Sequence, residues 1–385
     1  MVRSPVTPWC LTLLVTSPFL LAENALSGPP VRELPRSNFS ATRGGIPGHL
    51  QPFGSWRAGL LVQVRHDVPH PRAFFEEFSA VDDGHGKPLV LRGAARQMAA
   101  MSWTDEDLLA RHGRARVGEV EIGLKETRQH GPAPGFQRLA TFLQAYNQSD
   151  IHLVSPIPSR MLREVRLLSF LRCGGFLNFL GTHKLWIGRG GSRSVVHRDD
   201  AENVNCALAG RKRFALVHPR WRAKLEAHPN SAGPPPRGPD RFGFIDARLD
   251  PQQPGYGAYF QLDVDAMDLI RYPGWREVDW YQADLEAGDC IYIPHGWYHQ
   301  VRAGPSRTVN VMVWYWRPER FEASTCTPRQ PGGGPRFSDC SWGYMPPPGN
   351  GPPRGVVQHE GVGLRLTKCS RAGLHLARWP VRTEL

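Results

Sequence analysis

Between Phe74 and Pro318 the apolar positions follow two different periods, and the change from one to the other divides the chain. In the first part, Pro88-Leu89-Val90-Leu91-Arg92-Gly93 predicts a buried strand closed by glycine. Thr104 stands where it can cap a helix running through Leu108 and Leu109, with Asp107 three residues on and Gly113 past the end. Leu139, Phe142, Leu143 and Tyr146 fall on one face of a second expected helix. From Lys184 onward the period becomes two. Short strands are expected at 185–188, 203–208, 213–217, 290–293, 297–301 and 307–316, separated by Gly and Pro turns. Residues 228–261, rich in Pro and Gly, read as a long insertion loop. This succession predicts a mainly β fold, a barrel or sandwich with N-terminal helices.

Composition sharpens the edges of that domain. The 40 Gly and 36 Pro of the 385 residues crowd toward the two ends and the insertion. Residues 1–27 have the form of a secretory signal peptide: Arg3, an apolar run from Trp9 to Ala22, and a small-residue site at Ala25-Leu26-Ser27. That run falls short of the roughly 20 residues a membrane span needs, so no stable span is expected. Residues 28–73 read as a poorly ordered lead-in, 74–318 as the folded domain, and 319–385 as a Pro/Gly-rich disordered tail. The net charge of +12 resides mostly in the flanks, and no basic stripe with interleaved aromatics crosses the middle, so nucleic-acid binding is not expected. Asn38-Phe39-Ser40 and Asn147-Gln148-Ser149 are glycosylation sequons, and Arg382-Thr383-Glu384-Leu385 approximates a retrieval signal for the endoplasmic reticulum. Cys326 with Cys340 would close a local disulfide loop, with the connectivity of the six cysteines after Cys10 left open, whereas Cys206 and Cys290 read as small buried hydrophobes.

The candidate chemistry lies in the period-two part. In Ser194-Val195-Val196-His197-Arg198-Asp199, alternation puts His197 and Asp199 on one face of an extended strand. Carrying the same alternation forward adds Asn203, Asn205, Ala207 and Ala209. A two-residue hairpin at Gly210-Arg211 then sets Lys212 opposite Ala209, aimed into the same cup. A lysine so placed calls for an anion. The third ligand comes from the segment Gly288 to His299, where a strand ends at Pro294 and another begins at Trp297. His299 lies on the strand and His295 in the turn, and the more rigid setting favours His299. Two imidazoles and one carboxylate leave positions open, which suits Fe(II) activating oxygen beside a chelating cosubstrate.

Trp186-Ile187-Gly188, His197-Arg198-Asp199, Asn203, Gly210-Arg211-Lys212, Ile293-Pro294 and Trp297-Tyr298-His299 together resemble the JmjC-domain, cupin-like family of Fe(II) and 2-oxoglutarate-dependent dioxygenases. The nearest likeness is to the branch of the asparaginyl hydroxylase that inhibits hypoxia-inducible factor. The resemblance implies a double-stranded β-helix, a jelly-roll or cupin barrel, with iron on His197, Asp199 and His299. It also implies that Lys212 meets the distal carboxylate of 2-oxoglutarate, assisted by Ser194, with Asn203 and Asn310 lining the cosubstrate pocket. Met312, on the same strand face as Asn310, is the alternative for that last position. Arg198 stands where relatives often carry tyrosine, which leaves substrate preference open.

The activity so implied consumes O2 and 2-oxoglutarate and hydroxylates a C–H bond; with the N-terminal signal, the expected substrate is a protein of the secretory pathway. Lysine demethylation is the same chemistry on an N-methyl group, and a non-catalytic cupin module that binds a ligand is the rival of another class.

Overall fold

The computed structural model describes residues 45–126, 137–226, 244–246, 258–260 and 262–326. The expected signal peptide, the Asn38 sequon, Cys340, the C-terminal tetrapeptide and most of the insertion lie outside them.

Seven strands precede the region of candidate chemistry: β1 (Leu60–Leu61), β2 (Gln63–Arg65), β3 (Leu89–Leu91), β4 (Arg116–Val117), β5 (Glu119–Ile122), β6 (Gln137–Arg138) and β7 (Ile151–Pro156). Ten follow: β8 (Leu180–Gly188), β9 (Val196–Arg198), β10 (Glu202–Ala209), β11 (Lys212–Val217), β12 (Phe244–Asp246), β13 (Ala258–Phe260), β14 (Trp280–Leu285), β15 (Cys290–Ile293), β16 (Tyr298–Ala303) and β17 (Thr308–Tyr315). One sheet has the order β1-β14-β11-β16-β9-β13-β12 and the other β2-β3-β15-β10-β17-β8-β7-β5. The fold is mainly β, a jelly-roll barrel of two sheets, as expected.

Alternation along each strand sorts side chains between the inside of the barrel and its two covered outsides. On the longer sheet Leu185, Ile187, Val204, Cys206, Val311 and Val313 face outward, into a core shared with the helices. Helix α1 (Pro71–Phe74) contributes Phe74 to that core, α2 (Asp105–His112) contributes Leu108, and α3 (Leu139–Ala145) contributes Leu139 and Phe142. Full burial of each such side chain contributes about 1.5–3 kcal/mol. The expected caps hold: Thr104 Oγ1 accepts from the Asp107 N–H at 3.1 Å, and Gly113 follows the last turn of α2. Inside the barrel, Val90, Ile291 and Ile293 meet Phe214, Leu216, Ala283 and Leu285 and close one end with apolar side chains.

Residues 45–73 are built into the fold and are not a loose lead-in. Phe53 and Trp56 pack edge-on against Trp275, and Trp56 donates to the Val278 carbonyl at 3.1 Å. Gly54 lies so close to Trp280 that an added Cβ would sit 2.8 Å from the ring. β1 and β2 then join different sheets, each as a parallel edge. Two aromatic anchors in a Gly- and Pro-rich stretch have no periodicity, so alternation cannot reveal them.

The cysteines also differ from expectation. Cys326 pairs with Cys173, and Cys206 with Cys290. The second bridge follows from register: Cys206 on β10 stands directly opposite Cys290 on β15. The first places residues 319–326, expected as the start of the tail, against the domain, with Phe321 near Phe75.

Candidate metal centre

β9 and β16 are antiparallel neighbours, and their register sets His197 directly across from His299. The ring centroids are 4.1 Å apart. Asp199, two residues after His197, projects to the same side just past the end of β9. One ligand atom of each of the three lies within 4.8 Å of the others. His295 does not join them: it sits exposed in the turn, where its backbone N–H donates to Glu202 Oε2 at 3.2 Å.

The donors are oriented before any metal arrives. His197 Nδ1 is 3.0 Å from the Val195 carbonyl and His299 Nδ1 is 3.0 Å from the Trp297 carbonyl. A carbonyl only accepts, so each Nδ1 carries the hydrogen and each Nε2 keeps its lone pair for a metal. Asn203 Nδ2 and Trp314 Nε1 both donate to Asp199 Oδ2, each at 3.0 Å, which fixes the plane of the carboxylate. Burial by itself would raise the Asp199 pKa, but the two imidazoles, Asn203 and Trp314 outweigh it and hold the carboxyl below its usual range. The Gly296 N–H bonds the Asp199 carbonyl at 3.0 Å and ties the turn before His299 to the ligand strand. Two imidazole nitrogens and one carboxylate fit a divalent transition metal with open coordination positions, and the described residues offer no fourth ligand for a closed zinc site.

Lys212 reaches the same cavity by a route other than the expected hairpin. β10 is paired on both edges, with β15 and β17, so no edge is left for β11. The chain crosses instead to the other sheet, where Lys212 faces Leu285 and Ala303. Gly210 makes that corner at φ +73°, and a Cβ there would meet the Arg307 carbonyl at 2.2 Å. Nor is 197–209 one continuous strand: the chain changes sheets between β9 and β10, so Asn203 meets Asp199 across the cavity. The Lys212 ammonium lies 5.7 Å from the Trp186 ring centroid. Burial lowers its pKa to about 8, and it has no ion-pair partner among the described residues.

Asn310 and Met312 both face inward; Asn310 Nδ2 donates to Asn205 Oδ1 at 3.0 Å, and Asn310 Oδ1 and Asn203 Oδ1 are buried with no bond. Ser194 is differently employed. Its hydroxyl accepts from the Val301 N–H at 2.8 Å and donates to the Val195 carbonyl at 3.0 Å, splicing the approach to β9 onto β16. Arg198 points to the opposite face and pairs with Asp200 at 2.8 Å. Trp314, Lys184 and Tyr259 were not foreseen. Alternation along β17 carries the inward face from Asn310 through Met312 to Trp314, and along β8 from Trp186 back to Lys184. Tyr259 enters from within the insertion, where β13 pairs with β9 and sets it beside His197.

Comparison with known proteins finds similarity over part of the chain. Residues 176–321 match the family described as a cupin-like domain. The chain is 31% identical over 128 residues to Jumonji C domain-containing protein 5 of Drosophila melanogaster, 33% of this chain and 26% of that protein. It is 26% identical over 133 residues to the human bifunctional peptidase and (3S)-lysyl hydroxylase JMJD7, 34% of this chain and 40% of that protein. It is 23% identical over 252 residues to the lysine-specific demethylase JMJ30 of Arabidopsis thaliana, 62% of this chain and 52% of that protein. The chain thus spans about a quarter to a half of the length of these curated relatives.

Proposed function

We propose that this chain, whose cupin-like domain has JmjC relatives, is an Fe(II)- and 2-oxoglutarate-dependent oxygenase that hydroxylates a protein side chain in the secretory pathway. The observation that carries the proposal is one inward face of the barrel that holds an open three-donor set and, farther along the paired β11 and β16, a lysine without an ion-pair partner among the described residues. His197, Asp199 and His299 would hold iron, and Lys212 would hold the distal carboxylate of 2-oxoglutarate. Together, when bound, iron and 2-oxoglutarate supply the oxidising chemistry: O2 and 2-oxoglutarate give succinate and carbon dioxide while one oxygen atom enters a substrate C–H bond.

The chain's own residues do the positioning. The two backbone carbonyls keep both Nε2 atoms available, and Asn203 with Trp314 keeps the carboxylate in plane. Asn205 and Asn310 offer amide groups along the path between the metal donors and Lys212. Ile291, Ile293, Phe214 and Leu216 exclude water from the closed end. A protein side chain as target is supported by the lysyl hydroxylase named among the relatives and by the motif likeness to the asparaginyl hydroxylase branch. The secretory address is supported by the apolar run at 9–22 and by two disulfides, which persist in oxidising compartments. Asn147, exposed after α3, stands where a glycan can attach.

The test is turnover. Purified protein with Fe(II), ascorbate, 2-oxoglutarate and an extract of luminal proteins should form succinate and add 16 Da to a target, and His197→Ala should abolish both. Demethylases among the relatives motivate a second reading, for which formaldehyde would appear in place of the added oxygen. Tight iron binding without any 2-oxoglutarate consumption would leave the non-catalytic module.

A further inference from the structure

Two lysines face the inside of the barrel, and the proposed reaction uses one. On β8, Lys184 stands opposite Met312 and Trp186 opposite Asn310, both on the inward face, while Leu185 and Ile187 point into the helical core. The half-buried Lys184 ammonium lies 5.7 Å from the centroid of the Trp314 ring. Trp314 donates its indole N–H to Asp199, so one face of the ring carries a cation and its edge holds a metal donor. Lys212 lies against Trp186, two residues along β8.

The charges on this surface do not balance. The inward positions of β8, β9, β10, β11, β14, β15, β16 and β17 include no Asp or Glu, and the carboxylate of Asp199 is oriented for the metal. Neither lysine has an ion-pair partner among the described residues. A 2-oxoglutarate dianion would use one carboxylate on the metal and one on Lys212, which leaves the charge of Lys184 unanswered. A half-buried cation gains from the face of a tryptophan, but more from an anion.

Resting on the reading of the site given above, we propose that Lys184 is a substrate-binding residue that takes a carboxylate of the primary substrate. The substrate class is an acidic peptide segment in which Asp or Glu neighbours the target residue. The Trp314 ring then links recognition to the metal: the anion held by Lys184 lies one side chain from the Asp199 carboxylate, and the target C–H is presented beside it.

The test uses the full chain loaded with Mn(II) and N-oxalylglycine, which allows binding without turnover. Two synthetic peptide pools are compared, identical except for Asp and Glu against Asn and Gln at the variable positions. The acidic pool should bind about tenfold more tightly to the wild type, Lys184→Met should erase that preference, and Lys184→Arg should keep most of it. Lys212→Met should weaken N-oxalylglycine by a similar factor and keep the preference for the acidic pool. Equal binding of the two pools, no binding of either, or a Lys184→Met variant that still prefers the acidic pool would overturn the proposal. So would a loss of N-oxalylglycine affinity in Lys184→Met matching that in Lys212→Met, which would make Lys184 a cosubstrate anchor. If wild type failed to bind N-oxalylglycine or to turn over 2-oxoglutarate, the dioxygenase reading would fall, and the peptide comparison would still read out Lys184.

Discussion

The two ends of the cavity are built on opposite plans. At the metal end every donor has its partner: Val195 and Trp297 carbonyls for the imidazoles, Asn203 and Trp314 for Asp199. At the other end it is a charge that is left open. Lys212 rests on an indole without an anion, and the amide oxygen of Asn310 is buried with no bond. A group that must meet a metal in one geometry is best fixed beforehand by its neighbours. A group that must meet an exchangeable dianion is best left unsatisfied, because a built-in acid would compete with each incoming cosubstrate. Under the proposed function, the contrast would separate what the protein keeps from what it takes up and releases in each turnover.

The largest expected effect breaks the fixed end. His197→Ala removes one of three donors, so iron binding should fall below detection in a metal titration and succinate formation should drop by more than about a thousandfold. Next comes the open end. Lys212→Met should leave iron binding close to wild type while the 2-oxoglutarate Kd rises about ten- to a hundredfold, measured by calorimetry with Mn(II) in place of iron. Loss of iron in Lys212→Met would merge the two ends into one unit and remove the contrast.

How much of this was legible in the sequence differs between the ends in the same way. That His197, Asp199 and His299 come together was readable because their spacing is local: two residues from His197 on one strand to Asp199 just past its end, and His299 near the start of another. The burial of Lys212 was foreseen, but by the wrong path, since alternation says nothing of which sheet a strand joins. Only the pairing of β10 on both edges shows that Gly210-Arg211 is a corner between sheets. Ser194 was assigned to the cosubstrate on likeness, yet its hydroxyl serves the Val301 and Val195 backbone. The disulfides, the Phe53 and Trp56 anchors and Tyr259 depend on contacts between distant segments, for which a single sequence carries no periodic signal.

A subtler change tests whether orientation matters at the metal end. Trp314→Phe keeps a ring under Lys184 and removes only the N–H that bonds Asp199 Oδ2. Iron affinity should fall about tenfold, the lower part of the range for such supporting groups, with the 2-oxoglutarate Kd moving less than the iron Kd. Asn203 remains to hold the carboxylate, so the double variant with Asn203→Ala should lose more than the sum of the two single losses.

The smallest effect is also the most specific to the open end. With the Lys212 pKa lowered to about 8 by burial, the cosubstrate-free protein loses the Lys212 charge as pH rises through that value. The carboxylate of 2-oxoglutarate binds the protonated form. Affinity should therefore be level below pH 7 and should decline above it, by about threefold between pH 7.5 and 8.5. The sign is set by the lysine, because the carboxylates of 2-oxoglutarate are ionised throughout this window. Lys212→Arg, whose guanidinium stays charged, should bind with a flat profile over the same range. Iron binding by the wild type should not follow this curve, since the donors at the metal end have partners that do not include Lys212. A 2-oxoglutarate Kd that is flat in the wild type, or that declines equally in Lys212→Arg, would show that the anion rests on another group and that the open end has been drawn in the wrong place.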